Sequence, residues 1–169
     1  HPDKEFWNGL FNAFNAGISV GMDFATMEMI ADASYVNTNK NPWGKDVFTR
    51  GQIVDDALGN NLGRTFPRIY IGNKADDAIY SIKSYDTATS YQKARSWYKQ
   101  LKCDINTLID VTKDISYRGT TVAVSASTSK GLIIALPNKA LTWSQRLDLL
   151  DAFTYAADNG IKLIIKVVK

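Results

Sequence analysis

Residues 78–86, with the sequence AIYSIKSYD, decide the fold of this chain. Alternate side chains of an extended strand point to opposite faces of a sheet. Ala78, Tyr80 and Ile82 therefore share one face. Ser81 and Lys83 share the other. The pattern predicts a β-strand that carries a serine and a lysine on the same side.

The segments around this strand predict a mixed α/β chain. Asp46 is positioned to cap a first helix, Thr142 and Gln145 form a capping box for the last helix, and Gly160 ends it. The order of elements predicts a mixed central sheet flanked by helices. We predict helices over residues 46–58, 90–111 and 142–158, strands over residues 65–71, 120–124, 131–136 and 161–168, and a hairpin loop over residues 72–77.

The first forty residues differ from the rest of the chain. Apolar residues recur at helical spacing over residues 6–14 and 22–33, which predicts two helices, and residues 37–44, NTNKNPWG, are rich in turn formers. We therefore expect residues 1–44 to be a helical extension or linker and residues 45–169 to be the main domain. The aromatic stripe of the first helix suits a membrane- or partner-binding helix, or one that covers the core. Because the chain begins His1-Pro2, we expect a piece of a longer polypeptide.

Composition excludes several classes of protein. The 169 residues are 45% hydrophobic and 22% charged, enough for one compact domain, and no apolar run can span a bilayer. The single cysteine, Cys103, excludes an internal disulfide and a paired-cysteine zinc site. With His1 as the only histidine, a Ser-His-Asp triad is not expected. No glycine-rich phosphate motif is present. Catalysis is expected to use Asp, Glu, Lys, Ser, Tyr or Arg.

The charge balance favours anionic partners. The net charge is +3 and the sequence pI is about 8.9. In the predicted helix over residues 90–111, Arg95, Lys99 and Lys102 form a basic stripe near Trp97 and Tyr98. Basic and aromatic side chains together suit phosphate binding and base stacking. They equally suit an ordinary amphipathic helix with solvated lysines.

Carboxylates near the predicted strand are candidate metal ligands. Metal-assisted phosphodiester cleavage needs oxygen ligands for Mg²⁺ and a cation that stabilises the developing charge. Asp55 lies beside the apolar face of the first helix and can reach the sheet edge, whereas Asp56 points to solvent. Asp77 shares the face of Lys83 but is separated from it by roughly 20 Å of strand. Asp86 is closer, on the alternate face. Solvated surface residues would give the same pattern.

Three segments together resemble a known family. They are RGQIVDDALGNNL at residues 50–62, FPRI at 66–69 and SIKSYD at 81–86. This combination resembles the C-terminal nuclease domains of polymorphic and contact-dependent growth-inhibition toxins, which have a restriction-endonuclease-like PD-(D/E)XK fold. The resemblance covers about residues 47–168. It implies an α/β, restriction-endonuclease-like core with an N-terminal helical extension.

The resemblance also implies roles for individual residues. Asp55 matches the acid on the first core helix, Ser81 and Lys83 match the (D/E)-x-Lys position with serine replacing the acid, and Asp86 matches a recurrent aspartate. The acid expected on the strand after Phe66-Pro67 falls near Tyr70 or Gly72 and is missing. Asp76 or Asp77 from the loop substitutes for it, or metal binding is altered or lost. Asp55 and Asp77 are the implied ligands of Mg²⁺, the candidate cofactor.

The function that the resemblance implies is that of an antibacterial toxin. It would be a hydrolase carried at the end of a large secreted surface protein, active in the cytoplasm of the target bacterium and neutralised by a cognate immunity protein. We expect an endonuclease, with tRNA as the favoured substrate and DNA as the second. Lys83 would stabilise the scissile phosphate, Ser81 would orient water or metal, and the basic helix would grip the backbone. The alternatives are a non-catalytic nucleic-acid-binding module and an inactive fragment of a surface adhesin.

Overall fold

The computed structural model describes residues 34–63 and 65–169. The two helices predicted over residues 6–14 and 22–33 lie outside these residues. The helices are α1 (Val47–Ala57), α2 (Ser96–Ile109) and α3 (Trp143–Asp158), and the strands are β1 (Ser34–Val36), β2 (Ile71–Asn73), β3 (Ala78–Ser84), β4 (Ile115–Tyr117), β5 (Thr120–Val122), β6 (Ser129–Leu136) and β7 (Ile161–Val168).

Five of the described strands form the mixed central sheet that the sequence predicted, and their order is β1-β7-β6-β3-β2. β1, β7, β6 and β3 are parallel, and β2 pairs antiparallel with β3. The connections from β3 to β6 through α2 and from β6 to β7 through α3 run in the same direction across the sheet. Because such crossovers are right-handed, both helices lie on one face. α1 covers the opposite face.

The sheet separates two clusters of buried side chains. The larger cluster lies beneath α2 and α3 and includes Ile79, Leu132 and Ile134 from the sheet. The smaller cluster lies beneath α1 and joins Val54 of that helix to Ile82 of β3. Neighbouring residues of the central strands therefore alternate between two cores, which explains their nearly continuous apolar sequence.

The predicted helix caps are confirmed. The Asp46 carboxylate accepts a hydrogen bond from the Thr49 amide at the start of α1. Thr142 and Gln145 form the reciprocal capping box of α3. Gly160, with a φ of +71°, follows that helix and leads into β7. Among the described residues, no helix is long and apolar enough to span a membrane.

The strand predicted over residues 65–71 is wrong for most of its length. Regular pairing begins only at Ile71, because Arg68 has a φ of +67° and the Ile69 amide bonds back to the Pro67 carbonyl. This turn still buries Phe66 and Ile69 in the larger core cluster. β3 is also shorter than predicted and ends two residues before position 86.

The start of the second helix is a further correction. α2 begins at Ser96 rather than near residue 90, because Tyr91 and Arg95 have φ values of +61° and +68°. Ala94, which we placed on the apolar stripe, precedes the helix and is exposed. Trp97, which we grouped with the basic residues, is fully buried.

Two short strands were not predicted. β1 pairs with the end of β7, and β4 forms a two-stranded ribbon with β5. The strand predicted over residues 120–124 is β5, which ends at Val122. Three residues are too few for a period of two to be visible in the sequence, so only the pairing partners reveal such strands.

Candidate active site

One face of helix α1 packs on the sheet and borders a cleft at the edge of the sheet. Arg50, Gly51, Val54 and Asp55 recur at the spacing that places side chains on one side of a helix. Val54 is fully buried in the smaller core cluster, and Asp55 is only 6% exposed. The apolar packing of Val54 therefore holds the Asp55 carboxylate against the body of the domain, whereas Asp56 is exposed, as predicted.

The end of β3 is the second wall of this cleft. β2 pairs only with residues 78–80 of β3, so within the described part of the chain residues 81–84 form an open edge of the sheet. Ser81 and Lys83 are in register with Leu132 and Ile134, which belong to the larger cluster, so the two side chains share a face as predicted. Among the described strands, only β6 pairs with β3 at Lys83, and Lys83 lines the cleft together with residues of α1. The Lys83 Nζ lies 6.0 Å from the centroid of the Tyr70 ring.

The cleft between α1 and this edge has a volume of about 270 Å³. Asp55 of α1 and Lys83 of β3 both line it. Its walls are formed by Val47, Phe48, Arg50, Gly51, Gln52, Asp55, Tyr70, Ile82, Lys83 and Ser84.

Arg50 is a member of the cleft that our sequence analysis did not select as a site residue. Its Nε donates a hydrogen bond of 3.1 Å to the Ser84 Oγ, which ties α1 to the end of β3. Burial raises the pKa of Tyr91, and the positive charge of Arg50 opposes that rise. The sequence signal that could have identified Arg50 is its position one helical turn before Val54, which places both side chains on the same face of α1. Tyr70 and Ser84 were also missed, because the turn and the strand edge that place them are set by tertiary contacts.

Ser81 and Asp86 are buried but do not line the cleft. Ser81 is 1% exposed on the face toward the larger core cluster. Asp86 follows β3, and its backbone carbonyl accepts hydrogen bonds from the amides of Thr89 and Ser90. One carboxylate oxygen of Asp86 has no hydrogen-bond partner within the described part of the chain.

Asp77 lies at the other end of β3 from Lys83. Its carboxylate accepts hydrogen bonds from the Thr128 hydroxyl at 2.8 Å and the Ser127 hydroxyl at 2.9 Å. Its backbone has a φ of +47°, and its carbonyl accepts the Ser129 amide. Asp77 therefore anchors the loop before β6, and the structure does not bring it together with Lys83.

The basic stripe of α2 lies on the opposite face of the sheet from α1. Arg95 pairs with Asp151 and, at 3.8 Å, with Asp148, and its guanidinium stacks 4.1 Å from the Tyr98 ring centroid. The Lys102 Nζ lies 5.0 Å from the Tyr155 ring centroid. These contacts are separate from the cleft, and exposed Lys99 does not line it either.

The carboxylates of the cleft do not fit the predicted metal site. Asp55 is the one carboxylate on its described walls, and Asp77 is remote. Among residues 34–63 and 65–169, no group of three or more His, Cys, Asp or Glu side chains is placed to hold a metal ion. The cleft instead combines one carboxylate with the two cations of Arg50 and Lys83, a set whose net positive charge suits a phosphate.

Residues 50–166, more than half of the chain, match the family described as CDI toxin restriction endonuclease-like domain. The chain belongs to this family. This toxin domain is also similar to the structure titled "CdiA-CT/CdiI toxin and immunity complex from Yersinia pseudotuberculosis". The identity is 27% and the TM-score is 0.60, over 69% of this chain and 98% of that one. No curated protein matches the toxin domain. The expected family and the restriction-endonuclease-like fold are confirmed.

Proposed function

We propose that this toxin domain is an endonuclease that cleaves phosphodiester bonds, with tRNA as its substrate. The observation that carries the proposal is the single cleft that contains Asp55, Arg50 and Lys83. Two cations beside one carboxylate attract a phosphate and leave a base for proton transfer. Ser81, Asp77 and Asp86 do not line the cleft and have no role in this proposal.

The cations act on the phosphate. The Lys83 ammonium and the Arg50 guanidinium stabilise the negative charge that develops on the non-bridging oxygens in the transition state. Arg50 is held for this role because its Nε is bonded to Ser84. A donor that is already oriented does not need to reorganise as the charge develops.

The carboxylate acts on the nucleophile. Asp55 accepts the proton of the attacking hydroxyl or water as the new O–P bond forms and the bond to the leaving oxygen breaks. The leaving oxygen takes up a proton from solvent water, and Asp55 returns its proton to solvent. None of these steps passes through a metal ion.

The position of the cleft supports RNA as the substrate. It lies at an open strand edge, and unstacked nucleotides of a tRNA loop enter such a cleft more easily than a continuous duplex does. DNA is the second candidate substrate, because the family is described as restriction endonuclease-like.

The comparisons support a proposal for the biological setting. The similar Yersinia pseudotuberculosis structure is a complex of a toxin with an immunity protein. We propose that a cognate immunity protein also neutralises this domain. In the same proposal, the domain is delivered from a large surface protein and acts in the cytoplasm of the target bacterium.

Purified protein tests the proposed activity. Wild type, Lys83→Ala and Lys113→Ala are incubated with tRNA or plasmid DNA, in Mg²⁺ and in EDTA. Lys113 is an exposed loop lysine that does not line the cleft. Removal of the Lys83 ammonium is expected to reduce cleavage by about 10²–10³-fold, because it removes a charge-stabilising donor, whereas Lys113→Ala remains near wild type.

Two outcomes would contradict the proposal. A folded Lys83→Ala variant that cuts at the wild-type rate would exclude this cleft as the active site. Nucleic acid that is retained with a steep salt dependence but never cut would identify a binding module instead.

A further inference from the structure

A second cavity lies on the other flank of α1. Its volume is about 470 Å³, within the range of small-molecule sites. The cavity lies between α1 and the segment that follows β1 and is open to solvent on one side. Its walls are formed by Asn37, Thr38, Asn39, Lys40, Thr49, Gln52, Ile53, Asp56 and Ala57.

The threonines of this cavity hold its two walls in place. The Thr38 hydroxyl interacts with the Lys40 carbonyl at 2.6 Å and the Lys169 carbonyl at 2.7 Å. The Thr49 hydroxyl donates to the Asp46 carboxylate at the start of α1. One wall is thereby fixed to the end of β7, and the other is fixed to the helix cap.

The amides of the cavity are available to a ligand. Within the described part of the chain, the side-chain amides of Asn37, Asn39 and Gln52 make no hydrogen bond. An amide offers both donors and acceptors, which is what the edge of a nucleobase requires. Lys40 and Asp56 balance each other in charge. This cavity therefore does not favour a bare phosphate, in contrast to the cleft on the other flank.

Gln52 connects the two cavities because it lines both of them. They lie on opposite flanks of α1, whose diameter with side chains is about 10 Å. A stacked strand rises about 3.4 Å per nucleotide, so a strand that crosses α1 places a base in the second cavity about three nucleotides from the scissile phosphate.

We propose that this amide-lined cavity is a nucleobase-binding subsite that sets the sequence preference of the nuclease. The inference rests on the proposed function, since it assigns a substrate position to the same surface. Ile53 and Ala57 provide the apolar floor for the base, and the amides read its edge.

The test compares cleavage positions in a pool of single-stranded RNA oligonucleotides with randomised sequence. Wild type, the double variant Asn37→Ala/Asn39→Ala, and Gln52→Glu are compared by sequencing the cleaved ends. In wild type, we expect one position about three nucleotides from the cut to show a base preference. The double variant is expected to reduce that preference about tenfold. Gln52→Glu is expected to shift it toward cytosine, since a carboxylate accepts from the cytosine amino group.

The outcomes separate the two proposals. If wild type cuts RNA and both variants keep its base preference, the subsite is excluded and the nuclease remains. If wild type cuts with no preference near the site, the subsite is equally excluded. If wild type cuts neither this RNA pool nor tRNA nor plasmid DNA, the proposed function itself fails. Thermal unfolding of each variant, compared with Lys113→Ala, tests whether the substitutions leave the fold intact.

Discussion

At the scale of single residues, Lys83 owes its place in the cleft to the edge of the sheet. Strand alternation alone directs its side chain toward the α2 and α3 face, as it does for buried Ser81. Because β2 stops pairing at Tyr80, the edge beside Lys83 is open. A long, flexible side chain can use that opening, whereas the short hydroxyl of Ser81 cannot.

Tyr85 permits a prediction about pH. Burial raises the pKa of Tyr85 well above its ordinary value, and the Asp104 carboxylate, which accepts its hydroxyl at 2.6 Å, adds to the rise. The unfolded chain loses this proton near pH 10, whereas the folded protein keeps it. The contribution of the Tyr85 hydroxyl to the free energy of unfolding is therefore full below about pH 10. It is lost as the pH rises from there toward the pKa of Tyr85 in the folded protein.

Tyr85→Phe is the corresponding variant. We expect it to lower the free energy of unfolding at neutral pH by about 1–3 kcal/mol, since Asp104 loses a buried donor. It should also remove part of the alkaline loss of stability. Urea unfolding between pH 7 and pH 10.5 measures both effects. Equal pH slopes for wild type and Tyr85→Phe would show that this tyrosine is not the group responsible.

At the scale of elements, α1 is the element that organises the site. Its core contact with the sheet is Val54, and its two flanks line the two cavities. Gly51 lies on the flank that faces the cleft. A Cβ added at Gly51 would meet no atom within 4 Å, so neither packing nor backbone conformation requires glycine at this helical position.

Gly51→Ala therefore separates stability from activity. Alanine is favoured over glycine inside a helix by about 0.5–1 kcal/mol, and we expect the free energy of unfolding to rise by that amount. The added methyl group protrudes into the cleft, so we expect the cleavage rate to fall about tenfold. Chemical denaturation and an RNA cleavage assay measure the two quantities. Unchanged cleavage by a stabilised variant would indicate that the substrate does not pass over this part of α1.

At the scale of the whole molecule, the sheet separates two basic regions. Arg50 and Lys83 lie on the α1 side, and the basic stripe of α2 lies on the opposite face, where Arg95 is paired with Asp148 and Asp151. One nucleic-acid strand bound in the cleft cannot contact both regions without bending around the edge of the domain.

The salt dependence of binding distinguishes the two regions. The logarithm of the binding constant falls with the logarithm of salt concentration, in proportion to the number of phosphate contacts. We expect Arg50→Ala to reduce this slope by about one. Lys99→Ala, on the α2 face, is expected to leave it unchanged. A reduced slope for Lys99→Ala would restore the basic helix as part of the binding surface.

Long periodic elements could be predicted from the sequence, and short ones could not. β3, β6, β7 and α3 lie where their periodicity and caps placed them, because those signals depend on neighbouring residues. The turn at residues 65–69 was misread as a strand, since Phe66 and Ile69 are buried without being in a sheet. Within the cleft, Asp55 and Lys83, which the sequence singled out, lie beside Arg50, which it did not.

The sequence by itself determined the mixed α/β class, the capped helices, the family motif and the residues available for chemistry. These are properties of local patterns and of residue type. Only the tertiary structure decided that Lys83 crosses to the α1 side, that Asp77 anchors a distant loop, and that the basic helix lies behind the sheet. Those outcomes depend on strand order, crossover handedness and the point where β2 stops pairing, and each joins residues too far apart in sequence for a local pattern to relate them.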